Sequence, residues 1–450
     1  MKKSNLIRCA VLSALFTMAT SAQAAGFALI EQSASGMGNA FAGGAAAAED
    51  ASTIFFNPAG MTYLPDSQLA VALHAIRPSA DFNNDGSHRA AATGGLPTPG
   101  GDGGDAGSWA FVPNIFYAKE INDSVRLGIG ISAPFGLKTE YDKDWVGRYQ
   151  AIKSELKTIN INPSIALKVN DQVSLGFGVS AMRAEAELTN AVDTGTICAA
   201  FVLGCGTFQS RDSYVKVKGD DWGFGWNIGA IFQLTDATRF GVAYRSQVHQ
   251  TLKGDVDFNN LPAIFAAVPA LRTQFGNGSI EAKLTTPDSA SASVLHHVNN
   301  EWDVMGDLTW TNWSKFKNLT IVRTSGTLSG QNLNSVPENW DDTIRASVGA
   351  SYKYSDTLKL RAGLAYDESP VPSEFRTPRI PDSDRYWVSF GANYKVSEAS
   401  SLDVGYTHIF VKDNSINKIT DTTTAALRDT VIGDYSANVN ILSVQFTHNF

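Results

Sequence analysis

Arg385-Tyr386-Trp387-Val388-Ser389-Phe390-Gly391-Ala392-Asn393-Tyr394-Lys395-Val396 alternates at period two. Tyr386, Val388, Phe390, Ala392, Tyr394 and Val396 fall on one face, and Arg385, Trp387, Ser389, Gly391, Asn393 and Lys395 on the other. Successive side chains of an extended strand point to opposite faces, so this is a strand with one oily and one largely polar side. Residues 357–367 repeat it, with Leu358, Leu360, Ala362, Leu364 and Tyr366 set against Lys359, Arg361, Gly363, Ala365 and Asp367. Residues 343–354 do so again. The polar faces mix Gly and Ser with charges, a pattern rare in soluble sandwiches. It suits the inside of a barrel where something else must fit, while the tyrosines at strand ends suit an interfacial aromatic girdle.

The ends of the chain agree. Lys2, Lys3 and Arg8, the short apolar run 10–19 and Ala22-Gln23-Ala24 read in order as a secretory signal peptide, residues 1–24. That run is too short to span a membrane as a helix, and no longer one follows, so a membrane location requires a closed barrel of strands. The last strand ends on Phe450, with Leu442, Val444 and Phe446 on the same face. A terminal strand with an aromatic last residue is similar to the assembly signal of bacterial outer-membrane barrels. Charged residues make up 18% of the chain and aromatics 10%, and mean hydropathy is −0.11, well below a helical membrane protein. The net charge of −8 argues against a nucleic-acid partner.

Tight turns at 120–123, 170–172, 235–238, 355–357 and 397–400 alternate with long loops, among them 83–107, 139–153, 189–212, 253–278 and 368–384. Short connections on one side and long ones on the other mark an outer-membrane barrel. The count is about fourteen strands over residues 67–450. Cys198 and Cys205, with six residues between them, are expected to form a disulfide in an oxidising compartment, two free thiols being the alternative. No further ligands stand at a metal-binding spacing, and neither metal nor cofactor is expected.

Two stretches break the pattern. Residues 25–66, rich in Ala, Gly and Ser, lack a wide apolar stripe. Composition alone leaves open a free periplasmic tail or a plug folded in the lumen. Ala133-Pro134-Phe135-Gly136 interrupts the third strand, because Pro cannot donate to a ladder. Either the strand ends above the membrane or it kinks and opens the wall.

Several motifs together resemble one family. Ala25-Gly26-Phe27-Ala28-Leu29-Ile30-Glu31, Asn57-Pro58-Ala59, Trp222-Gly223-Phe224-Gly225-Trp226-Asn227, Trp313-Ser314-Lys315-Phe316, Asp367-Glu368-Ser369-Pro370-Val371-Pro372 and Ile380-Pro381-Asp382-Ser383-Asp384-Arg385 are similar to motifs of the long-chain fatty acid transporters of the Gram-negative outer membrane. That family also includes porins for aromatic hydrocarbons. The resemblance implies an all-β membrane protein, a 14-stranded antiparallel transmembrane β-barrel with an N-terminal plug of short helices. It implies a lateral opening at Pro134, Phe135 and Gly136, a plug motif at Asn57, Pro58 and Ala59, and a moving N-terminus tipped by Phe27. It also implies passive diffusion of a long-chain fatty acid or other hydrophobic molecule, within outer-membrane lipid and lipopolysaccharide, by a monomer. The positions that hold the carboxylate in the best-known relative fall on Asn190 and Val336, neither of them cationic, which leaves Arg183, Arg323 and Arg345 as candidates. Arg345 and Arg385 are alternatively expected only to pair with Asp367 and other lumen carboxylates. Loop residues Phe201, Val202, Leu203, Leu261, Ile264 and Phe265 are expected to form an apolar capture groove. Rival readings are an outer-membrane lipid hydrolase, although no motif sets a His beside a nucleophile, and a surface adhesin or receptor.

Overall fold

A computed structural model describes residues 25–419 and 429–450. The expected signal peptide lies outside the described residues, as does part of the last long loop. Fourteen antiparallel strands form the wall, several of them in two arms. They are β1 Ser67–Asn84, β2 Ala110–Asn122, β3 Val125–Ser132 with Gly136–Glu140, β4 Lys153–Lys168, β5 Val173–Asp193 and β6 Asp212–Thr235. There follow β7 Thr238–Arg245 with Val248–Asn259, β8 Gly278–Thr286 with Ser289–His297, β9 Trp302–Thr311 with Asn318–Arg323, and β10 Asn332–Pro337 with Thr343–Lys353. The last four are β11 Leu358–Asp367, β12 Arg385–Lys395, β13 Ser400–Val411 with Asn414–Ile419, and β14 Thr430–Asn449. Each pairs with its chain neighbours, and β1 closes on β14 from Gln68↔Asn449 to Asn84↔Gly433, so no free edge runs the length of the wall.

The alternation read from the sequence is the alternation of the wall. On β5, Leu175, Phe177 and Val179 are exposed outward, whereas Ser174, Ser180 and Met182 are buried inward. On β12, Trp387 and Ser389 are buried while Tyr386, Phe390 and Tyr394 face out. Among the described residues no helix is long and apolar enough to cross a membrane.

The inward glycines have a cause. The segment before β1 forms the short helices Ala34–Gly38 and Thr53–Phe56 and the 3-10 turn Pro58–Tyr63. It crosses the lumen and touches opposite walls. A Cβ at Gly363 would stand 2.2 Å from the carbonyl carbon of Asn39, one at Gly391 2.7 Å from Gly38 Cα, and one at Gly349 2.8 Å from Asn39 O. Polar wall side chains finish the docking. Gln445 Oε1 accepts from Ala34 N–H (3.0 Å), Gln68 Oε1 from Ala51 N–H (2.7 Å) and Ser293 Oγ from Ala45 N–H (2.9 Å). Arg361 bridges Glu49 of the segment (2.7 Å) to Asp403 of β13 (2.6 Å). The sequence left the third strand either ending or kinking at Pro134; it kinks, resuming at Gly136 and pairing on with β4 from Gly136↔Lys157.

Candidate functional site

The site begins at the kink. The β2–β3 ladder ends at Ile115↔Ile131, and above that pair residues 110–114 of β2 are matched only to β1. Higher still, Glu140 N–H donates to Ala106 O (3.0 Å) and Ala106 N–H to Ala80 O (3.0 Å), tying the upper arm of β3 back to β1. Between these ties the described residues show no shared pairing between β2 and β3.

Backbone groups left unpaired in an apolar wall are costly, so their partners must come from elsewhere. They come from three side chains and from the N-terminal tail. Ala133 N–H donates to Asn114 Oδ1 (3.3 Å), and Gln32 Nε2 donates to Ala133 O (3.2 Å). Thr158 Oγ1 accepts from Phe135 N–H (3.0 Å) and donates to Phe135 O (2.6 Å). Leu29 N–H donates to Pro134 O (2.8 Å), and Gly136 N–H donates to Phe27 O (2.9 Å). Ala28 and Phe135 thus form an antiparallel bridge, with the tail replacing a stretch of missing strand. Leu29 fills the space a side chain at Gly136 would take, since a Cβ there would lie 2.9 Å from Leu29 Cδ1.

Phe27 anchors this tail. It is buried edge-on among Trp313 (4.6 Å), Phe316 (5.7 Å) and Phe135 (5.9 Å), with Trp340 tilted beside it (5.5 Å). Gly26 N–H donates to Asp382 Oδ2 (2.8 Å), and Asp382 is ion-paired to Arg385. Glu31, just below, is fully buried, and among the described residues neither of its carboxylate oxygens has a hydrogen-bond partner. Burial raises its pKa to about 7, against the opposing pull of its own backbone and of Arg385 and Arg345.

Two cavities flank the tail. The lower, about 150 Å³, is lined by the tail, Phe55, Phe56, Pro134, Phe135, Arg245, Trp313, Arg345 and Asp367. The upper, about 450 Å³, lies beneath the loops and is lined on one side by Leu188, Val215, Val217, Phe258, Ile321 and Val336. Arg379 and Asn190 share its lining.

The candidates from the sequence separate clearly. Arg183 sits on the outer face of β5, ion-paired to Asp220 (3.1 Å) and Glu185 (3.5 Å), so it cannot hold a ligand in the lumen. Its parity with Leu175, Phe177 and Val179 is the signal that marks it as outward-facing. Arg323 faces inward but donates to Gly276 O (3.0 Å) and Gln274 O (2.9 Å), fixing the loop before β8. Arg345 lines the lower cavity, donates to Ala40 O (2.8 Å) and lies over the Trp387 ring (4.9 Å). Arg385 is ion-paired with Asp382, one of the other buried carboxylates that the alternative reading allowed beside Asp367. Asn57 Nδ2 donates to Ala45 O (2.7 Å), Ala230 O (3.1 Å) and Val242 O (3.3 Å), which docks the Asn57-Pro58-Ala59 turn on β6 and β7. Phe55 and Phe56, just before that turn, reach the cavity beside the kink. Cys198 and Cys205 are disulfide-bonded, and Leu203, Leu261, Ile264 and Phe265 pack around them. Phe201 and Val202, assigned to the same groove, instead point into solvent, 66% and 89% exposed. Arg245 and Arg379 were missed; alternation with Phe240, Val242 and Tyr244 marks Arg245 as inward-facing with Gly241, whereas no periodic pattern marks Arg379.

A tall closed barrel of fourteen strands, a filled lumen and oily cavities define a class, the outer-membrane transporters of hydrophobic molecules. Residues 15–450 match the family described as Outer membrane protein transport protein (OMPP1/FadL/TodX), and the chain belongs to it. It is 33% identical to a putative outer membrane protein of Neisseria meningitidis serogroup B, covering all of both chains. It is 30% identical to the long-chain fatty acid transport protein of Escherichia coli K12, covering 93% of this chain and 95% of that one. Among solved structures, a Pseudomonas aeruginosa FadL homologue superposes with a TM-score of 0.85 at 29% identity, covering 95% of this chain and all of the other. The Pseudomonas putida toluene transporter TodX shares the fold, with a TM-score of 0.63 at 19% identity over 89% of this chain and 94% of that one.

Proposed function

We propose that the protein is a passive channel that takes long-chain fatty acids from outside the cell into the outer membrane through the side of its own wall. The ligand enters the upper cavity beneath the loops, moves down past Phe27 into the lower cavity and leaves between β2 and β3. Residues 25–66 act as the plug that keeps water and solutes from passing straight through. The observation that carries this reading is the tail–kink pairing, Leu29 N–H to Pro134 O and Gly136 N–H to Phe27 O. A wall gap closed by a short, separable tail is a gate rather than a defect.

The physical need for such a route is plain. An alkyl chain gains roughly 0.8 kcal/mol for each CH₂ kept out of water, so a path that stays oily and ends in lipid holds it throughout. Relatives named as fatty acid transport proteins cover nearly the whole chain. The aromatic cage around Phe27 would equally accept a neutral ring, which favours aromatic hydrocarbon uptake as the second reading. Hydrolysis is not part of the proposal. The contact of His74 with Ser443 (2.6 Å) is a buried wall contact, and that of His448 with Ser400 (2.8 Å) lies at the rim near the last turn. We take the working unit as one barrel surrounded by lipid and lipopolysaccharide.

The test is mass spectrometry of ligand co-purified with native protein, paired with uptake of labelled oleate and toluene by cells that lack their own transporters. Oleate bound and taken up supports the first reading. Toluene alone supports the second, and neither removes the transport role.

A further inference from the structure

We infer that the disulfide-clamped loop tip at Phe201 and Val202 is a contact point for lipid aggregates outside the cell, so that the protein draws its ligand directly from the surface of a micelle or vesicle. This rests on the transport reading above and adds the partner that delivers the ligand.

Two stretches on the long-loop side carry no charged residue, 194–210 and 260–271, in a chain where charged residues make up 18%. The first holds the helix Thr194–Ala200, and the second runs through the helix Ile264–Ala267 into the helix Pro269–Gln274. The two pack together, with Ile197, Leu203 and Phe275 set around Cys198, Phe265 and Leu271. Their outer side is bare, and Phe201, Val202, Ala266, Ala267 and Pro269 are all exposed. An uncharged apolar patch on an otherwise polar surface marks a place where something docks.

The tip is held outward. Phe201 N–H donates to Ile197 O (3.1 Å), Val202 N–H to Ala199 O (3.1 Å) and Leu203 N–H to Cys198 O (2.9 Å). The Cys198–Cys205 disulfide closes the same turn. Val202 has a φ of +53°, in the left-handed region that a β-branched residue rarely enters. That conformation is costly, and its result is two oily side chains fixed away from the protein.

The chemistry of the patch favours lipid over a protein partner. A protein interface carries about one hydrogen bond per 100–200 Å², and the exposed side chains named here offer none. A lipid surface asks for none. The ligand points the same way, because every CH₂ disfavours the free molecule in water and a long-chain amphiphile is held mainly in aggregates. The tip also leads inward. Ile197 and Phe275, which share a cluster with Leu203, line the upper cavity. An alkyl chain leaving an aggregate at the tip therefore meets apolar side chains on its way to that cavity.

The experiment gives labelled oleate to cells that lack their own transporters and carry either wild type or the double variant Phe201→Ser, Val202→Ser. Free oleate is fixed, and the remainder is bound to albumin or to phosphatidylcholine vesicles in increasing amount. Wild-type uptake is expected to rise with vesicle amount, to about tenfold the albumin rate or more, the scale on which two apolar side chains hold a lipid surface. The double variant should lose that rise and keep the wild-type rate from albumin, which shows that it assembles. A wild-type rate set by free oleate alone, whatever the vesicle amount, overturns the inference and leaves transport standing, and that comparison decides even if the variant assembles poorly. A full vesicle-dependent rise in the double variant overturns it as well. Wild type that takes up oleate from neither source sinks the transport reading with it.

Discussion

Replacing Phe27 with alanine isolates the force that seats the tail in the wall. The ring is 2% exposed and touches four aromatic neighbours, so its loss removes nearly a full side chain of buried apolar surface. Truncating a buried Phe costs about 3–5 kcal/mol. At the lower figure the unseated tail becomes roughly a hundredfold more populated, since each 1.4 kcal/mol is about a factor of ten. Two amides report directly on seating, that of Leu29 (to Pro134 O) and that of Gly136 (to Phe27 O). Hydrogen exchange followed by mass spectrometry should show both losing about two orders of magnitude of protection. The amides of Ala45 and Ala51, bound to Ser293 and Gln68, should stay as protected as before, because the plug body is docked independently. Unchanged protection at Leu29 and Gly136 would refute the argument that the aromatic cage holds the tail.

Two other expectations follow from the same geometry. Gly363→Val puts a branched side chain where a Cβ alone would meet Asn39 at 2.2 Å, so the barrel should still assemble, judged by gel mobility, but conduct small ions in planar bilayers where wild type does not. Glu31→Gln should tighten the tail at high pH. Because folding raises the Glu31 pKa from 4.5 to about 7, the folded state holds the extra proton between those values. Stability therefore falls as pH rises through that window, by roughly 3 kcal/mol in all. The variant's gain in tail protection over wild type should be large at pH 8 and vanish near pH 4.

Much of this was legible in the chain because barrels write themselves at period two. The strands around Gly349, Gly363 and Gly391 announced both their outward face and the need for something against their inward face, and the plug is what presses there. The same rule, applied to Leu175, Phe177 and Val179, excludes Arg183 from the lumen, since a one-residue step reverses the face. Arg379 was not legible. It lies in the loop between β11 and β12, where no periodicity tells direction, and only the folded loop brings it against Asn190. The kink could be read from Pro134, but its partner could not. Nothing in Phe27-Ala28-Leu29 by itself says that three residues of tail will complete a sheet more than a hundred positions away.

The central claim, that the tail is the gate of a side exit, is tested most directly by locking it. Ala28 and Phe135 are bridge partners, and antiparallel partners stand about 4.5–5.5 Å apart at Cα, a separation a disulfide spans. The double variant Ala28→Cys, Phe135→Cys should take up oleate when reduced, lose uptake when oxidised and regain it with reductant, with equally treated wild type as the control for Cys198–Cys205. Uptake at the reduced rate in fully cross-linked protein would contradict the account, because the ligand would then be leaving by a path the tail does not close.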